Sequence, residues 1–418
     1  MVILLVSVQD KAYGQFAEPC RAPSPQAFRG AAPSQVGGFV EFVPSLCVSE
    51  RYDSNVFFRP STPGLKREDY VTTVNPMLRV KHNGNYAAGF LDAGGISETY
   101  VHNTGLNFLG SNGSLFLNLD NTIRRIIPNA TLLITDAVSY VPVPPGFVNP
   151  VAGTSPGDPT NVQDIFSQGI IFFRSNRVSN NGTVTTSYAT SASTRVTASY
   201  NHSTLRFLSD SVNLFNTTTH TGTLGGTAQL SENNQLNVRY SIAHSEFDSR
   251  TGPSFLFKTH TATVGWSRVL SRSFKAEVSG GGLFIDPGLT TYAANVALIM
   301  NVANTQATLS YARAAFPGFA GAPTQVVGDV ASLSAVQEIS PHWQLTGAAN
   351  YSHSSGASPT SEIKFDTYGG SVNLAYLITR IWSVGLGYSY LRFNQEFEMT
   401  QFEFDRHVGM FSVRATWE

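Results

Sequence analysis

A chain of 418 residues is long enough for two or three soluble domains or for one large barrel. Charged residues make up only 13%, well under the ~25% of soluble globular domains, and a net charge of −1 gives no reason to expect a nucleic-acid partner. Hydrophobic residues reach 42%, yet no apolar run approaches the ~20 residues that a membrane helix needs.

Taken in order, the chain opens on Val2–Val8, an apolar run with the character of a secretory-signal remnant. It lacks a basic flank and a clear small-x-small cleavage site, so secretion has to be argued from the strands further along the chain. Residues 1–38 read as this remnant and a flexible segment with Pro19, Pro23, Pro25 and Pro33. Cys20 and Cys47 are the two cysteines; they can pair, but they form no disulfide framework and no metal spacing.

Strand candidates come next, at about Phe39–Glu50, Tyr70–Lys81 and Tyr86–Val101, with a turn at His82–Asn85. Thr104–Arg125 reads as a short strand, a turn around Ser111-Asn112-Gly113, and a second strand through Leu115, Leu117 and Leu119. From Ile126 to Val178 the alternation is lost, and the segment is expected to be a long loop, extracellular or folded inward.

After Asn180 the rhythm is regular. Val196, Ala198 and Tyr200 alternate with Arg195, Thr197 and Ser199, and Leu236, Val238 and Tyr240 with Gln235, Asn237 and Arg239. The run Ile381–Arg392 is the clearest. Trp382, Val384, Leu386, Tyr388 and Tyr390 fall on one face, and Ser383, Gly385, Gly387 and Ser389 on the other.

Connections before these strands are short, as at Leu270–Ser273 and Ile378–Arg380, whereas those after them are longer, as at Asp248–Ser254, Ala314–Pro323 and Ser354–Ser361. Short periplasmic turns and long extracellular loops mark a transmembrane antiparallel β-barrel, with its apolar face to lipid and its polar face to the lumen. The expected fold is therefore all-β: one barrel over 39–418, of about 18 strands, or 16 if Thr104–Arg125 is over-split. A soluble sandwich has no reason to segregate loop length in this way.

No HExxH, GxSxG or P-loop pattern occurs, and none of the nine histidines falls in a paired-ligand spacing. Neither an enzyme, a cofactor nor a metal is expected. The pore-lining candidates are Arg195, Arg239, Lys275, Glu277, Asn350, Asn373 and Arg414, all on the polar phase of their strands. A charge facing lipid near the midplane costs roughly 2–4 kcal/mol, which sends these residues to the lumen, where they would act on a passing solute. Trp266, Trp343, Tyr351, Trp382, Tyr388, Tyr390 and Trp417 read as the interfacial aromatic girdle. No clear track of lumen aromatics for stacking sugars is visible.

Pro44–Phe58 resembles the opening of outer-membrane β-barrel porins found beside exopolysaccharide biosynthesis genes, with Tyr52, Asp53 and Asn55 at the matching positions. Leu270-Ser271, Ile339-Ser340 and Ile378-Thr379 are similar to that family's turns. Phe411, Val413, Ala415 and Trp417 resemble the aromatic-ended terminal strand recognised by the barrel-assembly machinery, although Glu418 comes after the aromatic. The resemblance implies a porin or channel in the outer membrane of a Gram-negative bacterium, surrounded by outer-membrane lipid. Passive transport of small polar solutes or export of exopolysaccharide would be its task. The alternative is a plugged structural or adhesive barrel that acts through its extracellular loops.

Overall fold

The computed structural model describes residues 39–61, 66–143, 146–147, 170–171, 175–208, 215–249, 254–286, 288–317, 325–356, 363–397 and 400–417. Val2–Val8, Cys20 and the proline-rich segment lie outside them. One sheet of 18 strands contains β1 (Phe39–Asp53), β2 (Asp69–Asn83), β3 (Ala88–Tyr100), β4 (Phe108–Asn118), β5 (Ala130–Val143) and β6 (Ser175–Ala189). It continues through β7 (Thr194–Phe207), β8 (Phe215–Ser231), β9 (Asn234–Ser249), β10 (Phe255–Val269), β11 (Phe274–Asp286) and β12 (Leu289–Val302). The last six are β13 (Thr305–Pro317), β14 (Gln325–Ser340), β15 (Trp343–Gly356), β16 (Ile363–Leu377), β17 (Trp382–Phe397) and β18 (Thr400–Thr416).

Each strand pairs antiparallel with its chain neighbours, and β1 also pairs with β18, from Ser45↔Thr416 to Asp53↔Val408. The sheet is thereby closed, and no edge is left to seek a partner in lipid.

The two faces invert the pattern of a soluble protein. On β1, Val40, Phe42, Leu46, Val48 and Tyr52 are exposed, whereas Val43, Cys47, Ser49 and Asp53 are buried. On β17, Leu386 is 63% exposed while Leu391 and Phe393, of opposite phase, are fully buried. The convex face thus presents Val, Leu, Phe and Tyr, and the concave face holds the polar residues. That is the arrangement of a barrel surrounded by hydrocarbon. Cys47 lies on the concave side and is engaged in a disulfide.

At one end the connections are short, as at 190–193, 232–233, 270–273, 303–304 and 378–381; at the other most are longer, including 54–68, 101–107 and 144–174. The short-turn end is periplasmic by this criterion. Three connections depart from the trend: 287–288 and 398–399 at the extracellular end have two residues each, and 119–129 at the periplasmic end has eleven, with Asp120–Ile126 helical.

Two readings of the N-terminal half require correction. Ser111-Asn112-Gly113 is not a turn: β4 runs straight through it, with Ser111 paired to both Gly95 and Tyr140. Pairing on both edges overrides local turn chemistry. The strand expected through Leu115 and Leu117 is therefore the second half of β4, and helix α1 (Asp120–Ile126) follows it. Nor is Ile126–Val178 one loop, because it contains β5 and the start of β6. Gly146–Phe147 pairs with Ile170–Ile171 within what remains of that loop. The two errors offset each other, and the strand count stays at 18.

The phase of β17 is tested by two neighbouring substitutions. Leu386→Arg places a charge in lipid at a cost of about 2–4 kcal/mol. Gly387→Ser only pushes aside the Asn373 side-chain oxygen that lies over the glycine, an adjustment within the ±0.5 kcal/mol or so of an ordinary surface change. Folding yield into lipid vesicles, read from the gel-mobility shift of unheated samples, should fall sharply for the first variant and little for the second. Equal yields would mean that the faces are reversed.

Candidate functional site

The lumen wall of β1–β4 is laced with ion pairs. Arg51 donates to both oxygens of Glu98, at 2.7 and 2.9 Å, and the Tyr100 hydroxyl donates to the same carboxylate at 2.8 Å. Arg79 donates to Asp92 at 2.6 and 2.7 Å, Ser114 adds a bond at 3.0 Å, and the guanidinium lies 4.4 Å from the centre of the Phe90 ring. Phe90 in turn stacks on Phe116. All these groups are buried or half-buried on the concave face. A paired and hydrogen-bonded buried charge fixes geometry more than it projects a field.

The sequence-predicted lining residues all occupy concave-face phases. Lys275 and Glu277, two residues apart on β11, pair with each other at 2.6 Å, which removes most of the field that either would exert alone. Arg195 and Arg239 stand on β7 and β9 between outward Val196 and outward Val238 and Tyr240, and Arg414 stands on β18 between Val413 and Ala415. Asn350 and Asn373 do something that residue type alone does not reveal. Each lies flat over a glycine directly opposite on the next strand, Gly369 and Gly387 respectively. Asn237 over Gly265 and Asn112 over Gly94 repeat the arrangement. The amide rests where a Cβ would otherwise stand, leaving a flat, uncharged polar wall.

The extracellular mouth is narrowed by one hairpin. Pairing of β13 with β12 stops at Ala294↔Arg313, although β12 continues to Leu289 in contact with β11. Beyond Arg313, β13 stays paired only to β14, as far as Pro317↔Gln325. This tip crosses to the concave side. Val327 joins a buried cluster with Leu283, Ile285 and Ala293, and Thr259 donates to the Gln325 side chain at 2.6 Å from four strands away. The sequence reading gave Ile126–Val178 as a loop that is extracellular or folded inward; among the described residues it is the β13–β14 hairpin that folds inward.

Aromatics are present on the concave face, though not as a track open to a solute. Phe365, Phe393 and Phe404 form a stacked row with centroids 6.2 and 5.6 Å apart, and Phe58 meets Phe404 edge-on. They are at most 7% exposed, so the rings pack against one another and offer no face to a solute. Alternation placed them on the polar phase, and only their size signals a packed layer.

The girdle residues face outward in two belts. Trp266, Trp343, Trp382 and Trp417 lie near the periplasmic turns, with Trp343 against Tyr376 at 4.5 Å. Tyr351 and Tyr390 lie toward the other end and donate to Asp366 and Asp405 at 3.0 and 2.8 Å, while the Tyr388 hydroxyl shares a 2.8 Å bond with His407. Ring in lipid and hydroxyl on a polar neighbour is what an interfacial tyrosine requires.

Tyr52, Asp53 and Asn55 gather at the seam. Tyr52 packs against Tyr70 on the outside. Asp53, almost wholly buried, accepts from Arg406 of β18 and from the Asn55 amide. The Asn55 side chain donates to the carbonyls of Arg59 and Asp405, at 2.8 and 3.3 Å. These residues tie β1 to β18 and leave no polar group turned to the pore.

No family model and no curated protein matches the chain. Among solved structures it is similar to the outer membrane protein opdK from Pseudomonas aeruginosa, at 11% identity over 90% of this chain and 99% of that one, with a TM-score of 0.45. It is also similar to OccK9 (OpdG) from the same organism, at 10% identity, 90% and 99% coverage and a TM-score of 0.46. The siderophore receptor PirA from Acinetobacter baumannii is similar at 7% identity, 90% and 80% coverage and a TM-score of 0.44. The assignment as an outer-membrane barrel rests on this chain's own closure, outward apolar band and aromatic belts.

Two outcomes are expected from this geometry. Asp92→Asn strips Arg79 of its carboxylate and should cost about 3–5 kcal/mol, whereas Arg79→Met with Asp92→Leu should recover most of that loss; urea midpoints in phospholipid bilayers report both. Replacing residues 314–328 by a short Gly-Ser turn should raise single-channel conductance at least twofold. An unchanged conductance would mean that the hairpin stands clear of the narrowest point.

Proposed function

We propose that the protein is a passive outer-membrane channel, and that its solute is a neutral, hydroxyl-rich polymer such as an exopolysaccharide moving outward. The observation that carries this reading is the lumen wall of asparagine laid over glycine. It supplies hydrogen-bonding groups without protruding side chains, while the Arg51–Glu98, Arg79–Asp92 and Lys275–Glu277 pairs cancel much of the wall's charge. A chain of sugars needs many weak, interchangeable contacts and no deep well, because conduction requires that a solute leave as readily as it enters. An 18-stranded barrel is wide enough for an aqueous path. The role is transport without bond chemistry. The outward strand Phe411–Trp417 would serve the barrel-assembly machinery.

A second reading is favoured by one observation, the buried ring layer of Phe58, Phe365, Phe393 and Phe404 on the concave side. In that reading the barrel is filled and acts through its extracellular loops.

Single-channel recording of the folded protein in planar bilayers separates the two. The channel reading expects discrete steps, transient block by neutral oligosaccharides, and conductance within a factor of two for Lys275→Gln with Glu277→Gln. Silence from demonstrably folded protein would favour the filled barrel.

A further inference from the structure

At mid-depth the outward wall is aliphatic around much of the barrel, with Val264, Val296, Leu309, Leu333 and Leu386 all exposed. The arc over β5–β8 differs in holding a carboxylate at this depth. A single register row runs Asp136↔Gly182↔His202↔His220 and continues to His244 and Lys258, near the extracellular end of β10. These positions share their strands' outward phase with Val138, Val184, Tyr200 and Leu224, each more than 40% exposed. Asp136 is also deep in the bilayer. Ala130 pairs with Tyr188, an outward aromatic at the periplasmic end, and Asp136 lies six residues further along β5. That is about 20 Å along the strand, or about 15 Å of height at a tilt of ~40° in an apolar band ~25 Å tall.

The polar groups in this arc are only partly satisfied. Asn180 donates to one Asp136 oxygen at 2.8 Å, and no described residue reaches the other. Tyr200 and His202 both approach the Nδ1 of His220, at 2.7 and 3.3 Å, which leaves the Nε2 of both imidazoles without a partner among the described residues. Lipid tails supply neither donor nor acceptor, so a carboxylate at the depth of Asp136 calls for cover by something other than lipid. Gly182, between the acid and the imidazoles, lets the Asp136 carboxylate lie over it, with one oxygen 3.2 Å from where a Cβ would stand.

We propose that this arc is the membrane-embedded contact between two copies of the chain. Acceptor and donors lie two strands apart on one face, so that each copy offers the carboxylate that the other's imidazoles lack, and the contact is self-complementary as a two-fold interface requires. The inference stands on the orientation of the barrel in the membrane and is independent of what passes through it.

The test is the number of copies per diffusing particle, counted by single-molecule photobleaching of labelled protein in supported bilayers. Asp136→Leu and His202→Leu both replace a polar group by one at home in lipid, so both should fold, and the gel-mobility shift verifies this. Wild type should show two or more copies, each variant should lower the multi-copy fraction at least tenfold, and Leu333→Trp on another face should leave it unchanged. A wild type present as single copies, whether alone or beside a different protein, would overturn the proposal. So would an unchanged copy number in both leucine variants.

Discussion

Every backbone N–H and C=O inside a bilayer needs a partner, and a sheet can meet that demand only by closing on itself. For this chain closure means joining its first strand to its last, across more than 350 residues. The seam has nine registered pairs, against fifteen between β1 and β2, so side chains carry more of the joint there than elsewhere. Asp53 with Arg406, and Asn55 with the carbonyl of Asp405, supply it at the extracellular end. The Phe58 ring, held 4.3 Å from the Arg406 guanidinium at a positive φ of 51°, seats the arginine from the other side. A stretch that resembles a family signature is thus spent on making the barrel a barrel.

Parity along the strands made most of the architecture legible. Ile381–Arg392 and its relatives after Asn180 alternate cleanly because one face meets lipid and the other water, and parity alone put Arg239, Lys275 and Arg414 on the concave side. The reading failed where an outward position is not apolar or an inward one is. In β5, Leu132, Leu133 and Ile134 run together and Asp136 then faces outward, which erases the period of two. In β4, Ser-Asn-Gly has turn chemistry but is held extended by partners on both sides.

Pairing is a different order of information. That Arg51 meets Glu98, or Asn373 meets Gly387, depends on register between strands, which no single strand encodes. The inward hairpin is hidden for a similar reason: nothing in Ala314–Pro317 announces that β13 will leave β12. What drives it is the apolar surface of Leu283, Ile285 and Ala293, a concave-face patch that water would otherwise cover.

The asparagines laid over glycines carry a consequence for how such a wall can change. In a closed barrel the circumference is set by strand number and stagger, and neither alters by a single mutation. A residue with a Cβ in place of Gly369 or Gly387 would collide with the facing amide and turn it toward the lumen axis. The bore is therefore adjustable one cross-strand pair at a time, in steps about one amide wide, while the backbone hydrogen bonds and the lipid-facing surface stay as they are.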